Sequence, residues 1–79
     1  MFYVYILESE SKSDFYYVGF TTDINRRLEE HNSNKSVYTS TGFPWKLVSS
    51  ITFNDKNKAV AFEKYLKSAS GRLFVKKHF

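Results

Sequence analysis

Residues 2–20, FYVYILESESKSDFYYVGF, hold the strongest fold signal in the chain. Tyr3 to Leu7 and Phe15 to Phe20 are rich in β-branched and aromatic residues, which favours two strands. The stretch between them, ESESKSD at 8–14, is polar and rich in serine, which is typical of a loop that joins antiparallel strands. The sequence therefore predicts a β-hairpin, and Gly19 near its end predicts a close backbone approach by another group.

The next two elements are a helix and a third strand. Thr21 or Thr22 is the predicted N-cap, Asp23 lies in the first turn, and the helix ends near His31. A long polar loop over 33–44 follows it. KLVSSITF at 46–53 then predicts the third strand.

Helical patterns fill the C-terminal part of the chain. A second helix over roughly 55–68 begins at Asn54 or Asp55 as N-cap. Ser68 to Gly71 is expected to interrupt it, with a break slightly favoured over a phosphate-binding turn at Gly71. A short basic helix then covers 72–79. The order β-β-α-β-α-α predicts one small α/β domain over residues 1–79.

Composition excludes several classes of protein. The 79 residues are 42% hydrophobic, as in globular proteins, and include 8 Phe, 6 Tyr and 1 Trp. The absence of cysteine excludes a disulfide framework, a thiolate nucleophile and a cysteine zinc site. No apolar run approaches the ~18 residues of a membrane span, and residues 2–7 lack the features of a signal peptide. A cytoplasmic protein without a membrane partner is therefore expected.

Charge is unevenly distributed along the chain. Residues 1–31 carry 3 basic and 6 acidic side chains, a net charge of −3, and residues 32–79 carry 9 basic and 2 acidic ones, a net charge of +7. The basic half fits contact with a polyanion, and an ordinary solvated surface is the alternative.

Helical spacing selects the charged residues that face the sheet. In the first helix Arg27 follows Ile24 by three residues and His31 follows Leu28 by three, so both lie on or beside the apolar stripe. In the second helix, Glu63 shares the face of an apolar stripe made by Ala59, Phe62, Leu66 and Ala69. An inward carboxylate is costly unless it is paired or binds a metal.

Strand alternation adds two hydroxyl groups to this set. A hairpin register can bring Tyr5 and Tyr17 together on one face. With Arg27, His31 and Glu63 they supply what phosphodiester hydrolysis needs: a metal ligand, a phosphate-neutralising charge and proton-handling groups. The plainer alternatives are solvated tyrosines, an Arg27–Glu63 structural ion pair and a histidine at a helix end.

These residues resemble the GIY-YIG nuclease superfamily. Tyr3-Val4-Tyr5 and Tyr17-Val18-Gly19 resemble its two triplets, with eleven residues between Tyr5 and Tyr17. Arg27 takes the place of the family's helical arginine and Glu63 that of its metal-binding glutamate. From Phe2 to about Lys77 the chain is similar to the small stand-alone bacterial members, which implies a three-stranded antiparallel sheet flanked by helices.

The resemblance implies a role for each residue of the set. Glu63 is expected to hold one Mg²⁺ or Mn²⁺, Arg27 to stabilise phosphate charge and Tyr5 to orient the attacking water. Tyr17 is expected to orient or deprotonate that water. His31 stands where some members carry tyrosine, and our hypothesis is that Tyr17 and His31 share the proton transfer.

Nucleic-acid contacts are expected from Gly19 and from seven basic side chains, Lys35, Lys46, Lys64, Lys67, Arg72, Lys76 and Lys77. Such contacts bind phosphate without reading sequence, and no groove-reading module is visible in the chain. The expected partner is nucleic acid, DNA before RNA, bound weakly by a monomer or weak homodimer.

Three functions are consistent with the sequence. The first is a metal-dependent endonuclease that recognises nucleic-acid structure, with DNA repair as its setting. The second is a nucleic-acid-binding module with little or no catalysis. The third is a protein-interaction domain, which predicts an exposed apolar patch, and its candidate residues are Phe43, Trp45, Phe74 and Phe79.

Overall fold

Strands and helices follow the predicted order β-β-α-β-α-α. A computed structural model describes residues 1–33 and 41–79. The elements are β1 (Phe2–Ser9), β2 (Tyr16–Thr21), α1 (Ile24–Asn32), β3 (Trp45–Phe53), α2 (Lys56–Lys67) and α3 (Ala69–His78). In these described residues, no helix is long and apolar enough to cross a membrane.

The sheet is antiparallel throughout, with the strand order β2-β1-β3. In the hairpin Tyr5 lies opposite Gly19, and Leu7 lies opposite Tyr17. Residues directly opposite each other share a face, and alternate residues of a strand do too. Tyr5 and Tyr17 therefore lie on one face, which is the arrangement that the sequence allowed.

The central strand β1 packs against helices on both faces. The first core joins the sheet to α2 and α3 and contains Val4, Ile6, Val18, Ala59, Leu66 and Val75. The second core lies on the α1 side and contains Tyr5, Leu7 and Trp45, with Tyr17 and Leu28 packed against it. Strand alternation thus separates a face whose fully buried residues are aliphatic from the face that carries Tyr5 and Tyr17.

The N-cap of α1 differs from the prediction. Asp23 caps the helix, because its carboxylate accepts a hydrogen bond from the Arg26 backbone N–H at 3.1 Å. Thr21 still belongs to β2, where it pairs with Tyr3, and its hydroxyl accepts from the Asp23 N–H. A threonine cap is therefore wrong. At α2, the predicted cap Asp55 is confirmed, since it accepts from the Asn57 N–H at 2.8 Å.

The interruption between the last two helices is shorter than predicted. Ser68 alone ends α2 and caps α3, its hydroxyl accepting from the Gly71 N–H at 3.2 Å. Gly71 lies in the first turn of α3, where a Cβ would overlap the backbone of Tyr65 and Leu66. Gly71 and Arg72 therefore both lie within α3, and the helix break that the sequence slightly favours at this point falls at Ser68 instead. Ala69 belongs to α3 and is exposed, so its predicted place in the α2 stripe is wrong.

Candidate active site

Tyr5 lies at the centre of the α1 side of the sheet. Its side chain crosses from β1 over β2, so that a Cβ on Gly19 would overlap the phenol ring. The close approach predicted at Gly19 is therefore confirmed, and the approaching group is Tyr5. The glycine itself is buried beneath that ring. Nucleic-acid contact at Gly19 stays a prediction.

His31 completes an aromatic cluster at the end of α1. Although it is an ionisable residue, it is only 1% exposed. Its Nε2 lies 2.9 Å from the Tyr5 hydroxyl oxygen, and the two groups share one hydrogen bond. The His31 ring centroid is 4.9 Å from that of Tyr17, which is half-buried and 6.2 Å from the Tyr5 ring. Spacing predicted that His31 faces inward, and its burial confirms this.

Arg27 lies one helical turn before His31. Its Nη1 donates to Glu30 Oε1 at 2.9 Å, so the Arg27–Glu63 ion pair considered as an alternative is wrong. The Nε of the same guanidinium is buried and has no hydrogen-bond partner among residues 1–33 and 41–79. A buried donor without a partner costs free energy, which makes this nitrogen a candidate for binding a ligand.

Burial sets the protonation of the Tyr5–His31 pair. It raises the pKa of Tyr5 to about 12, although the adjacent Arg27 side chain opposes the rise. Burial also lowers the pKa of His31, and the positive charge of Arg27 lowers it further. Both side chains are therefore neutral at pH 7.

Glu63 joins the cluster from α2, across the β2 edge of the sheet. Its side chain is 19% exposed, and its Oε2 lies 3.1 Å from the Nζ of Lys67. That ammonium group is also 5.6 Å from the centroid of the Tyr17 ring. Lys67 thus links Glu63 to the tyrosines. The i,i+4 spacing of Glu63 and Lys67 is the sequence signal for this pair.

The donor set suits one kind of metal ion. Among the described residues, no group of three or more acidic or histidine side chains is placed to hold a metal. A single carboxylate such as Glu63 fits Mg²⁺ or Mn²⁺, which keep most of their ligands as water and phosphate oxygen. It does not fit zinc, which is held by three or four protein ligands.

A contact that no sequence pattern predicted fixes the end of α1. The Asn32 side chain donates to the Trp45 carbonyl at 2.9 Å and accepts from the Trp45 N–H at 2.7 Å. This pair of hydrogen bonds attaches the residue after His31 to the first residue of β3. Nothing in the local sequence marks Asn32, since its partner lies thirteen positions further along the chain.

The predicted phosphate-binding residues separate into groups. Lys67, Arg72 and Lys76 line one groove beside Tyr17. Lys46 instead lies 3.6 Å from Glu8, in a depression formed with loop 10–13. Lys64 and Lys77 are exposed on α2 and α3. Lys35 lies outside the described residues.

The apolar patch expected of an interaction domain does not form as predicted. Trp45 is only 3% exposed and belongs to the core on the α1 side. Phe79 is half-buried and packs against the other core. Of the four candidate residues, only Phe43 and Phe74 remain exposed.

Known proteins share this fold and the order of these side chains along the sequence. The GIY-YIG catalytic domain model matches residues 1–77. The antiparallel sheet presents two tyrosines, and the helices add an arginine from α1 and a glutamate from α2. The fold and these side chains together define a nuclease-type domain. The chain belongs to the GIY-YIG family.

Within that family, the relatives that match are UPF0213 proteins. The chain is 42% identical over 67 residues to UPF0213 protein YsiG of Lactococcus lactis, a match that covers 84% of this chain and 62% of YsiG. It is 36% identical to UPF0213 protein SAG0778 of Streptococcus agalactiae, over 96% of this chain and 89% of the relative. With two further UPF0213 relatives the matched region covers 65% of their length.

A solved structure shows the same fold. The solution NMR structure of UPF0213 protein BH0048 from Bacillus halodurans has a TM-score of 0.55 and 37% sequence identity to this chain. The similarity covers 95% of this chain and 82% of that one. The predicted sheet with flanking helices is therefore confirmed.

Proposed function

We propose that this protein is a metal-dependent endonuclease that hydrolyses phosphodiester bonds in DNA, or in RNA, by recognising structure rather than sequence. The observation that carries the proposal is the buried, unpartnered Nε of Arg27 beside the hydrogen-bonded Tyr5–His31 pair in the described part of the chain. A guanidinium with an unused donor is suited to a phosphate oxygen.

The protein side chains divide the work between charge and proton. Arg27 neutralises charge on the phosphate, and its Nε is the donor that the ion pair with Glu30 leaves unused among the described residues. Tyr17 is the more exposed phenol and orients the attacking water. Tyr5, neutral because of its raised pKa, holds His31 through their hydrogen bond.

His31 is the group best able to accept a proton at neutral pH. Its lowered pKa keeps the imidazole unprotonated, and a neutral imidazole is a stronger base than a neutral phenol. Because His31 is 1% exposed, the proton reaches it through a neighbouring hydroxyl rather than directly from bulk water. This refines the hypothesis that Tyr17 and His31 share the transfer.

Glu63 is the residue that would hold the divalent metal on which GIY-YIG nucleases generally depend. When bound, the metal supplies a positive charge for a phosphate oxygen and for the leaving group. The ion pair of Glu63 with Lys67 is made through Oε2, at 3.1 Å from the Lys67 Nζ.

The same ion pair favours a second candidate function. Lys67 neutralises Glu63, and a carboxylate neutralised in this way no longer repels a phosphate backbone. A domain that binds nucleic acid without cleaving it would benefit from that pairing. The choice between the two functions depends on whether metal displaces the lysine.

Cleavage of a panel of labelled substrates tests the proposal. Single-stranded, duplex, nicked and branched DNA and RNA are incubated with Mg²⁺, Mn²⁺ or EDTA, using wild-type protein and Glu63→Gln. We expect cleavage that needs metal and falls below detection in Glu63→Gln. The matched control is Glu29→Gln, which removes an exposed carboxylate from α1 and should leave the activity intact.

Two results would overturn the endonuclease proposal. Binding across the panel without cleavage under any metal condition would favour the binding module. Cleavage that persists in Glu63→Gln would show that the activity comes from elsewhere.

A further inference from the structure

A groove runs along the free edge of β2, next to the candidate active site. It has a volume of about 460 Å³ and lies between β2, the end of α2 and α3. β2 is an edge strand of the sheet, so its outer side has no strand partner in the described residues. Tyr17 and Lys67 line this groove and also belong to the active-site cluster, which makes the two surfaces continuous.

The walls of the groove are basic. Lys67 contributes from α2, and Arg72 and Lys76 contribute from α3, where their spacing of four residues places them on one face. Neither Arg72 nor Lys76 has a carboxylate within ion-pair distance among the described residues. Asp14 is the single acidic residue that lines the groove in that part of the chain. Two cations are therefore available to an anionic ligand.

The floor of the groove is aromatic and aliphatic. Phe15, Tyr16 and Tyr17 line it from the start of β2, and Leu66 and Val75 line it from the helices. Phe15 is 37% exposed. Apolar and aromatic surface beneath a row of cations is the arrangement that binds unpaired nucleotides, whose phosphates contact the cations while their bases stack or bury.

We propose that this groove binds an unpaired stretch of nucleic-acid strand adjoining the scissile phosphate, so that the substrates are structures with a single-stranded arm. This inference rests on the proposed function for the position of the scissile phosphate. Intact duplex keeps its bases stacked inside the helix and gains nothing from the apolar floor. A single strand gains from both the floor and the basic walls.

Binding in the presence of EDTA tests the groove without relying on cleavage. Anisotropy of a labelled oligodeoxythymidine is compared with that of a duplex of equal length, for wild type, Lys76→Ala and Lys56→Ala. Both lysines are exposed on helices and carry the same charge, but only Lys76 lines the groove. We expect Lys76→Ala to weaken single-strand binding roughly three- to ten-fold and Lys56→Ala less than about two-fold.

An abasic oligonucleotide of the same length tests the apolar floor. We expect it to bind roughly ten-fold more weakly than oligodeoxythymidine, because it lacks the bases that stack. Amide signals of Val18 and Val75 should shift in NMR spectra on adding oligodeoxythymidine and should shift less with the abasic strand at the same concentration.

Three results would overturn the groove proposal. They are equal losses in Lys76→Ala and Lys56→Ala, equal affinity for single strand and duplex, and NMR shifts confined to the depression at Lys46. If the groove predictions hold and no substrate is cleaved, the endonuclease proposal fails while the single-strand groove stands. Metal-dependent cleavage of intact duplex, with unaltered binding in Lys76→Ala, would instead support the endonuclease and overturn the groove.

Discussion

At the scale of single residues, the site depends on ionisable side chains that burial holds neutral. Desolvation disfavours the charged forms of both Tyr5 and His31, and their shared hydrogen bond gives the Tyr5 hydroxyl and the His31 Nε2 a partner. Arg27, by contrast, keeps its charge and leaves its Nε without a partner in the described residues. The cluster is thus prepared for an anion.

The stability of the protein should depend on the protonation of His31. Its pKa is lower in the folded protein than the ordinary value of about 6.5, so the unfolded chain takes up the proton first as the pH falls. The His31 contribution is therefore complete above about pH 6.5 and is lost as the pH falls towards the folded pKa. Between pH 7 and pH 5, the melting temperature of His31→Gln should therefore fall less than that of the wild type.

His78→Gln is the matched control for this prediction, because it removes the other histidine of the chain, which is exposed at the end of α3. It should follow the wild-type pH profile. Identical profiles for all three proteins would show that His31 titrates normally.

Metal affinity should respond to Lys67. Because its ammonium group is 3.1 Å from Glu63 Oε2, it competes with a cation for that carboxylate. Removing the charge in Lys67→Met should tighten Mn²⁺ binding by about two- to five-fold, the range that a partly exposed ion pair supports. Mn²⁺ is titrated in NMR spectra, and broadening of the amide signals around Glu63 gives the affinity.

Lys64→Met controls for net charge, since it removes an exposed lysine adjacent to Glu63 in sequence that does not pair with it in the structure. Equal tightening in Lys64→Met and Lys67→Met would mean that the ion pair has no special part in metal binding.

At the scale of elements, contacts between helices and strands fix the site more firmly than helix propensity does. Asp23 begins α1, and Asn32 attaches its end to Trp45 of β3. α1 has only nine residues, and a helix this short is marginal without such contacts. Arg27 and His31 are therefore positioned by bonds that flank them on both sides.

Removal of the Asn32 side chain should destabilise the fold. Asn32→Ala deletes both bonds to Trp45 and should lower the free energy of unfolding by about 1–3 kcal/mol, measured by chemical denaturation. Asn25→Ala, an exposed change on the same helix, should alter it by less than about 0.5 kcal/mol. Similar values for both variants would mean that the attachment at Trp45 contributes little to stability.

At the scale of the whole molecule, charge and apolar surface are arranged around the sheet. The net charge of +4 combines an acidic first part with a basic second part, and three of the basic side chains meet at the groove beside β2. The aliphatic core lies on the face that packs on α2 and α3, and the aromatic cluster lies on the other.

Affinity for single-stranded nucleic acid should fall with salt. Three phosphate contacts from Lys67, Arg72 and Lys76 give a slope of about −2 in log affinity against log salt, or about a 20-fold loss for a four-fold rise in salt. Anisotropy measured across that range tests this, and Lys76→Ala should have a shallower slope. Affinity independent of salt would exclude binding through the basic groove.

The sequence by itself determined the order of elements and the inward faces of Arg27, His31 and Glu63, because apolar periodicity and turn residues act locally along the chain. It allowed the hairpin register that brings Tyr5 and Tyr17 together, and the structure shows that register. The sequence did not determine the partners of the three inward-facing residues. Arg27 pairs with Glu30 and Glu63 with Lys67, whereas spacing alone equally allowed Arg27 to pair with Glu63.

Only the tertiary structure decided which distant groups meet. The Tyr5–His31 hydrogen bond, the Asn32–Trp45 bonds and the packing of Gly71 on α2 join residues whose separation in sequence carries no signal. The gathering of Lys67, Arg72 and Lys76 beside Tyr17 likewise depends on how α3 packs on α2 and faces β2 across the groove. Such contacts arise from three-dimensional packing, which local sequence patterns do not encode.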